Sequence, residues 1–491
     1  MENISKTDFI QYINCPESLW LKKNKPDQYP EGEFSLFLEK LVKEGYEVEA
    51  YAKKLFPEGI NLPNHSGSQQ TQEAILGNRV LFQANFETDS GLQARADILE
   101  KLPDGTFHLY EIKSSTSIKR SGTHNHIYDS CFQKYVIEQN GLNVSKVSII
   151  HPNKEFVKSG EIDPRDLLII EDVSDEVIEA EERIIPQINS ALEFVNSPSI
   201  DENSCACTKN TRSNHCDSFG YFNKDIPEHN IYQLNRISKK SVEMLVDGGH
   251  FGLLDVPIDF KLNTNQLYHI ESYRKGQPTI NEEKIKQMLE RLVFPLHFYD
   301  YETYATAIPI LDGMNPHQHL VFQVSMHSMH PDGSISHYEY LADDLVQPEQ
   351  MLKEMKEVTE LNGTFISWNK SFENTRNKEL IKIFPHYEDY LSYIINNTFD
   401  LEDIFKEPYI DYRFQGKSSI KNVLPVLCPD LSYKTLEVQD GTMALDTWGR
   451  MILDPNFKED KEATRKALLS YCKLDSWAMV RIYQELLKMV N

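Results

Sequence analysis

The chain has 491 residues and a formal net charge of −24, with 40% apolar and 26% charged residues. This length predicts two or three domains. The sequence has no run of about eighteen apolar residues and no apolar N-terminal signal, so we expect a cytoplasmic protein without a membrane span. The acidic balance argues against tight binding of bare nucleic acid, although cations held by carboxylates would offset it.

The first predicted elements form a β-hairpin flanked by helices. Helical periodicity over 34–56 is followed by short β-prone segments between 78 and 113, with the turn signal LPDGT between two of them. A helix is predicted over 126–141, a strand over VSKVSIIHPN and another helix over 174–196. These elements predict an α/β domain of roughly 200 residues.

The rest of the chain predicts a connector and a second α/β domain. A polar segment with clustered cysteines precedes short predicted helices over 231–290. Three strand-like segments then lead to a helix over 348–360, the strand GTFISWN and further helices. We therefore predict domains over 1–216 and 291–491, joined by a helical connector over 217–290.

Acidic residues of the first domain are predicted to converge. In YEIKSS, Glu111 and Lys113 are two residues apart in a strand and point to the same face. Alone, this pattern is more often a surface ion pair, but antiparallel pairing across the hairpin brings Asp97 near both residues. Two carboxylates can hold a divalent metal ion, and a lysine beside them can stabilise developing charge. The flanking helices add three candidate residues: Glu47, Gln133 and Tyr135.

This order of residues resembles the RecB-type PD-(D/E)XK nucleases, which have a helix acid, a strand Asp, Glu-x-Lys and then a helix with Gln and Tyr. The resemblance implies a restriction-endonuclease-like fold in which Asp97 and Glu111 hold Mg²⁺ or Mn²⁺, Glu47 assists and Lys113 stabilises charge. The leading segment ISKTDFIQYINCPESLWLKK also resembles the N-terminus of RecB-type nucleases that hold an iron–sulfur cluster.

In that subgroup one cysteine precedes the nuclease core and three follow it, as Cys15, Cys205, Cys207 and Cys216 do in this chain. The resemblance implies a 4Fe–4S cluster that joins the two ends of the domain. The C-x-C spacing is closer than in the subgroup, and a zinc site that includes His215 is the alternative. Unligated thiols are the third interpretation. The remaining cysteines are predicted to be buried apolar residues: Cys131, Cys428 and Cys472.

A second acidic set is predicted in the C-terminal domain. HFYDYETY places Asp300 and Glu302 on one face of a strand, and YCKLDSW places Tyr471 and Asp475 on one side of a helix. Between them, FISWNKSFENTR places Glu373 shortly after a strand. A D-x-E pair alone is more often an exposed strand edge, so the interpretation depends on the whole set.

Together these residues resemble the DEDD exonucleases of the RNase H-like (DnaQ-type) superfamily, in the subclass with Tyr-x-x-x-Asp. The resemblance implies an RNase H-like domain with 3′-to-5′ polarity in which Asp300, Glu302 and Asp475 bind two metal ions. The tyrosine of the motif would help to orient the attacking water. The family usually has Asp where this chain has Glu373, and Asp400 is the alternative acid.

The whole chain also resembles a bacterial two-module family of unassigned function, above all in the segment 416–452, where Lys417 and Lys421 are candidate phosphate contacts. The paired modules imply a metal-dependent nuclease that hydrolyses DNA, single-stranded or at ends, in DNA repair or anti-phage defence. The alternatives are an RNA exonuclease and a non-catalytic nucleic-acid-binding scaffold with one or both sites decayed. The sequence has no glycine-rich phosphate loop, so any helicase would be a partner protein.

Overall fold

The computed structural model describes most of the chain. The described residues are 3–30, 36–63, 67–122, 124–359 and 361–490. Residues 34 and 35 of the helix predicted over 34–56, and residue 360 of the helix predicted over 348–360, lie outside them. The described residues form a mixed α/β structure, which confirms the coarse fold class. Every helix in this part of the chain is too short or too polar to cross a membrane.

The structure divides into two compact units. The first unit contains Met1–Asp225 and Thr306–Gln318, and the second contains Ile226–Ala305 and His319–Asn491. Two segments therefore depart from the predicted division. Most of the predicted connector, 226–290, packs with the second unit, and 306–318 packs with the first.

The first unit is a twisted sheet with helices on both faces. Its strands are β1 (Ile4–Ser5), β2 (Ile60–Asn61), β3 (Val80–Glu87), β4 (Leu92–Lys101), β5 (Phe107–Ile112), β6 (Val144–Pro152) and β7 (Leu168–Asp172). Its α-helices are α1 (Lys6–Asn14), α2 (Pro16–Asn24), α3 (Leu36–Lys53), α4 (Ser68–Gly77), α5 (His126–Gln139), α6 (Pro164–Leu167), α7 (Ser174–Val195) and α8 (Phe219–Phe222).

Strand pairing in the first unit fixes the position of its acidic residues. The sheet order is β2-β3-β4-β5-β6-β7, with β1 paired in parallel to β4. Strands β3, β4 and β5 are antiparallel, and the register pairs Ile98 with Tyr110. Continued by one residue, this register places Asp97 opposite Glu111. Helices α5 and α7 cover one face of the sheet, where Leu109 joins the main apolar core.

The second unit is a five-stranded sheet with helices and a separate two-stranded ribbon. Its strands are β8 (Thr279–Ile280), β9 (Leu296–Tyr304), β10 (Leu320–Met329), β11 (Ile335–Leu341), β12 (Thr364–Ser367), β13 (Thr398–Asp400) and β14 (Tyr409–Ile410). Its α-helices are α9 (Lys239–Asp247), α10 (Thr264–Lys275), α11 (Glu282–Leu289), α12 (Glu349–Val358), α13 (Lys370–Ile383), α14 (Glu388–Asn396), α15 (Asp403–Lys406), α16 (Ile420–Leu427), α17 (Gly441–Leu453) and α18 (Lys461–Val490).

The order of the five-stranded sheet is β11-β10-β9-β12-β13. Strands β9, β10 and β11 are antiparallel, whereas β12 is parallel to both β9 and β13. Strand β10 is buried along its whole length and β9 along nearly all of it, as expected for strands covered on both faces. Helix α18 packs against both strands and so crosses the acidic segment of β9.

Candidate metal centres

The first unit brings Asp97, Glu111 and Lys113 together where β4 meets the end of β5. Glu111 is buried, and its Oε1 lies 2.9 Å from Lys113 Nζ. Asp97 Oδ2 accepts a hydrogen bond of 2.8 Å from the backbone N–H of Ile112. The strand Asp and the Glu-x-Lys pair of the predicted site therefore lie side by side.

Three donors surround the Glu111 carboxylate. Lys6 at the start of α1 lies 2.5 Å from Oε1, the oxygen that also contacts Lys113. Gln133 on α5, a predicted site residue, donates from Nε2 to Oε2. Lys113 is held from its other side by Asp129 Oδ2 at 2.5 Å. The Glu111 carboxylate is thus fully engaged by neighbouring side chains.

The surroundings shift the pKa values of Glu111 and Asp97 in opposite directions from their usual values. Burial alone would raise the pKa of Glu111, but the ammonium groups of Lys113 and Lys6 hold it well below its usual range. Burial and the negative charge of Glu111 raise the pKa of Asp97 to about 7. Glu111 is therefore ionised, whereas Asp97 can carry a proton. When a cation binds, Asp97 can release that proton, which gives the site a second negative charge.

Helix α3 contributes a different acid from the one predicted. Glu47 has its charged neighbours on its own helix, where burial raises its pKa and Lys43 lowers it. Glu49 instead accepts a 2.6 Å hydrogen bond from Gln83 Nε2, which also lies 3.4 Å from Asp97 Oδ1. Residues two apart on a helix point in nearly opposite directions, so α3 cannot present both acids to Asp97.

Tyr135 also lies apart from the acid set. Its side chain is partly buried and packs against the main apolar core of the first unit. Gln133, two residues earlier on α5, is the residue of this predicted pair that contacts Glu111. The helical spacing explains the difference, because only one of two residues at i and i+2 can point to the sheet site.

The four predicted cysteines form one group in the first unit. The sulfur atoms of Cys15, Cys205, Cys207 and Cys216 all lie within 4.8 Å of one another, and the first three residues are buried. Hydrogen bonds among the thiols lower the pKa of Cys205 and Cys207 and raise the pKa of Cys15, so without a metal the four sulfur atoms are not equally ionised. Thiolates select zinc, copper(I) or iron–sulfur clusters over hard cations, so this donor set fits a soft metal group.

His215, the histidine of the alternative zinc site, has contacts with other neighbours. That imidazole Nε2 lies 3.1 Å from the backbone oxygen of Asn210, and the ring stacks on Phe219 at 3.5 Å. His215 is not one of the grouped ligands. An apolar shell that includes Leu21 and Phe222 packs around the thiols. Four cysteines without the histidine are therefore the candidate ligands.

The second unit brings Asp300 and Glu302 of β9 together with Asp475 of α18. Their carboxylate oxygens lie within 4.8 Å of one another, and Glu302 and Asp475 are buried. Burial and the charge of Asp475 raise the pKa of Asp300 and Glu302 well above the usual range. Carboxylates clustered in this way repel one another and favour a bound hard cation such as Mg²⁺ or Mn²⁺.

Two tyrosines hold Asp475 in this set. Tyr433 Oη donates a 2.6 Å hydrogen bond to Asp475 Oδ1, and Tyr471, one helical turn before Asp475, also donates to it. Burial raises the pKa of Asp475 to about 6, although both hydrogen bonds and the charge of Lys421 act to lower it. Gly441 at the start of α17 lines the same site, because a Cβ there would lie 3.5 Å from Glu302 Oε2.

Glu373 and Asp400 have different roles from these three acids. Glu373 is buried at the start of α13, outside the group of three, and burial raises its pKa to about 8. Its Oε2 has no hydrogen-bond partner among the described residues. Asp400 accepts hydrogen bonds from the backbone N–H groups of Asn369 and Glu402 at 3.0 and 3.1 Å. Asp400 therefore stabilises the turn before α13, and Glu373 is the acid that remains available.

The two lysines predicted as phosphate contacts, Lys417 and Lys421, lie in different surroundings. Lys421 is close enough to lower the pKa of Glu302, and its Nζ lies 5.8 Å from the centre of the Tyr433 ring. Lys417 lines a small cavity with Asn235 and Phe414. Only Lys421 is therefore placed to act at the second-unit acids.

Sequence reasoning missed several residues that the structure adds to these sites: Lys6, Glu49, Gln83, Asp129 and Tyr433. Each reaches its partner from another element, so no spacing motif contains both members of the pair. The one local signal is at Lys6, since a cation at the first position of a helix opposes the helix dipole and needs a separate explanation.

The chain is thus a mixed α/β protein with a four-cysteine group and an acidic group that could each bind metal. Residues 297–419 match a family described as Domain of unknown function (DUF2779). The matched range contains Asp300, Glu302 and Glu373 and ends before Asp475.

Two curated relatives are uncharacterized proteins of mycoplasmas. MG366 of Mycoplasma genitalium is 24% identical over 254 residues, which is 47% of this chain and 38% of the relative. The MG366 homolog of Mycoplasma pneumoniae is 26% identical over 220 residues, which is 40% of this chain and 33% of the relative. The chain therefore spans less than two fifths of the length of these relatives, and it fits a family of unassigned function.

One solved structure is also similar, the crystal structure of SSO0001. It is 12% identical, and the match covers 41% of this chain and 80% of that chain with a TM-score of 0.21. A TM-score this low does not establish a common fold.

Proposed function

We propose that the chain is a metal-dependent nuclease that hydrolyses phosphodiester bonds of DNA, with one hydrolytic centre in each unit. The convergence of Asp300, Glu302 and Asp475, with oxygens within 4.8 Å of one another, carries this proposal. Three carboxylates on a buried strand and its covering helix are an unfavourable arrangement unless cations bind between them. Hydrolysis of a phosphodiester at such a centre is the chemistry that paired metal ions support.

The second unit supports an RNase H-like assignment. Three antiparallel strands followed by two parallel ones, in the order β11-β10-β9-β12-β13, agree with the topology of that superfamily. Asp300 and Glu302 lie on the central strand of this sheet, and Asp475 lies on the last helix, as the DEDD resemblance implies. Glu373, whose buried Oε2 has no hydrogen-bond partner in the part of the chain that the structure describes, is the candidate fourth acid.

The roles of the second-unit residues follow from their contacts. Asp300, Glu302 and Asp475 would hold divalent ions, which when bound activate a water molecule and stabilise the leaving oxygen. Tyr433 keeps Asp475 in place through its 2.6 Å hydrogen bond. Tyr471, whose hydroxyl faces Gly441 near Glu302, is positioned to orient a water molecule beside the acids.

The first unit supports a PD-(D/E)XK centre. Asp97 and Glu111 would hold a single divalent ion, and Glu49 supports Asp97 through Gln83. Lys113, fixed between Glu111 and Asp129, would stabilise the negative charge that develops on the phosphate.

For the cysteine group we propose one metal centre that joins the start and the end of the first unit. Zinc bound at about 2.3 Å by four thiolates needs sulfur atoms about 3.8 Å apart, whereas a cube-shaped iron–sulfur cluster holds them farther apart. Because all four sulfur atoms lie within 4.8 Å of one another, the distances favour the single ion over the 4Fe–4S cluster. Metal analysis and a visible absorption spectrum of anaerobically purified protein distinguish the two.

The nuclease proposal is tested by removing each centre separately. Glu111→Gln, Asp300→Asn and the double variant are compared with wild type on DNA and RNA labelled at either end, in the presence of Mn²⁺. We expect each single variant to lose one set of products and the double variant to lose at least about 10³-fold in rate. Glu58→Gln and Glu388→Gln, exposed acids of the two units, serve as controls.

Two outcomes would change the proposal. Wild-type protein with its cysteine-bound metal that cleaves neither polymer in Mn²⁺ would favour the non-catalytic scaffold. Cleavage of RNA with little cleavage of DNA would identify an RNA exonuclease instead.

A further inference from the structure

Helix α1 places a second ammonium group on the first-unit acids. Lys6 Nζ lies 2.5 Å from Glu111 Oε1, and Lys113 Nζ lies 2.9 Å from the same oxygen. Gln133 Nε2 donates to the other oxygen of Glu111. Both oxygens of the main candidate metal ligand therefore have protein donors, and a cation can reach Glu111 only if one donor moves away.

Of the three donors, Lys6 is the one least constrained by other contacts. Lys113 is also held by Asp129 at 2.5 Å, and its side chain is 17% exposed. Gln133 is fully buried. The Lys6 side chain is 28% exposed, and Glu111 is the one ion-pair partner that the structure gives it among the described residues.

The backbone that carries Lys6 is firmly positioned. Residues Ile4 and Ser5 pair with β4, the strand that carries Asp97. Ser5 and Asp8 form a capping box at the start of α1, and Asp8 is held in turn by Lys22 Nζ at 3.0 Å. The long side chain of Lys6 can therefore swing while its Cα stays in place.

The local sequence does not explain a lysine at this position. A cation at the first residue of a helix opposes the helix dipole, so the position itself disfavours a lysine. The favourable partner of Lys6 is Glu111, on a strand more than a hundred residues away. A residue that breaks a local rule to reach an acid of a candidate active site points to a role at that site.

We propose that Lys6 is a displaceable cation of the first-unit centre. In the metal-free protein it neutralises Glu111; when a divalent ion occupies Asp97 and Glu111, the ammonium moves to a non-bridging oxygen of the substrate phosphate. This inference rests on the nuclease function proposed above. The phosphate supplies the negative partner that Lys6 loses, so the swing exchanges one ion pair for another.

The test uses the full chain with the second centre removed by Asp300→Asn and Asp475→Asn. In this parent, Lys6→Ala and Lys6→Arg are compared with Lys158→Ala, a control that removes the ion pair of another partly buried lysine of the first unit, with Asp312 at 2.5 Å, without touching Glu111 or the start of α1. Mn²⁺ affinity is measured by calorimetry, because cysteine thiolates discriminate against this hard ion. Cleavage rate at saturating Mn²⁺ and the thermal melt are measured on the same samples.

We expect Lys6→Ala to bind Mn²⁺ about tenfold more tightly, since one charge-assisted competitor is lost. Its cleavage rate at saturating Mn²⁺ should fall by about 10- to 100-fold, since a contact to the phosphate is lost. Lys6→Arg should stay near the parent in Mn²⁺ affinity, and Lys158→Ala should match the parent in both measurements. Tighter metal binding together with slower cleavage is not expected from a residue that only supports the fold.

Unchanged or weaker Mn²⁺ binding by Lys6→Ala, with an unchanged melt, would overturn the inference. Glu111→Gln in the same parent should lose Mn²⁺ binding, which verifies that the titration reports this centre. Should the parent cleave no nucleic acid while Lys6→Ala still binds Mn²⁺ more tightly, displacement by the metal is upheld and the nuclease function is rejected. Failure of the Lys6 inference and failure of the proposed nuclease function therefore give different results.

Discussion

Glu111 in the first unit and Asp475 in the second are both buried carboxylates, and their partners differ in charge. Glu111 is neutralised by two ammonium groups, whereas Asp475 accepts hydrogen bonds from the neutral hydroxyls of Tyr433 and Tyr471. The second set therefore contains more acidic than basic groups, and the charge of Lys421 acts to lower the pKa of Glu302. We expect the second centre to bind divalent ions without first losing a protein cation.

The residue Tyr433 provides a prediction for the second centre. Tyr433→Phe removes the 2.6 Å hydrogen bond to Asp475 and leaves the Tyr471 hydroxyl as the other donor to this carboxylate, which is then less firmly oriented. We expect a rate loss of about tenfold in the second-unit activity, with a loss of about 1 kcal/mol in stability. Rates in Mn²⁺ and urea unfolding measure the two effects. Tyr483→Phe, another buried tyrosine of the unit, is the control, and an equal rate loss there would contradict the role of Tyr433.

The predictable part of the sites consists of residues that lie close together in the sequence or on one hairpin. Glu111 and Lys113 share a strand face, and the hairpin brings Asp97 to them, so a pattern of period two was sufficient. Lys6 is more than a hundred positions from Glu111 in the sequence, and Tyr433 is more than forty positions from Asp475. Their contacts depend on how whole elements pack, which no local pattern in one sequence records.

At the scale of elements, two long helices of the first unit were predictable from the sequence. The helix predicted over 174–196 is observed as Ser174–Val195, and the one predicted over 126–141 as His126–Gln139. The second helix ends where Gly141 adopts a left-handed φ of 84°. The short strand Ile4–Ser5 was not predicted, because two residues carry no periodic signal and their pairing with β4 is a tertiary contact.

The start of α1 gives a prediction about pH and stability. Burial acts to raise the pKa of Asp8, but Lys23, Lys22 and Ser5 lower it to about 2, against an ordinary value of 3.8. A depressed pKa stabilises the folded state above pH 4, and this contribution is lost as the pH falls from about 4 to 2. Because Lys22 is 40% exposed, we expect Asp8→Asn to cost only about 1–2 kcal/mol at neutral pH.

Urea unfolding of wild type and Asp8→Asn at several pH values measures this effect, with Trp20 as the fluorescent reporter within the first unit. The difference in unfolding free energy should be constant between pH 5 and 7 and shrink below pH 4. Asp27→Asn, an exposed acid close in sequence, should show no difference. A difference that persists unchanged below pH 3 would mean that the charge of Asp8 is not its cause.

At the scale of the molecule, metal at the cysteine group should stabilise the first unit. Cys15 lies near the beginning of the unit and Cys216 near the end of its main segment, so one metal centre closes a long loop. Cys216→Ser or removal of the metal by a chelator should lower the melting temperature of this unit by at least about 5 °C. Calorimetry and metal analysis check this, and Cys131→Ser, a buried cysteine outside the group, should keep the full metal content.

The net charge of −24 should affect nucleic-acid binding by the whole chain. A polyanion is repelled by an acidic protein unless cations lie between them, so affinity should depend on divalent ions bound at the two acidic sets. Ca²⁺, which takes oxygen ligands, should raise the affinity for single-stranded DNA at least about tenfold over chelator, measured by fluorescence anisotropy. Glu111→Gln combined with Asp300→Asn should remove most of this gain. Equal affinity with and without Ca²⁺ would place the nucleic-acid contact away from both carboxylate sets, on cationic side chains that need no metal.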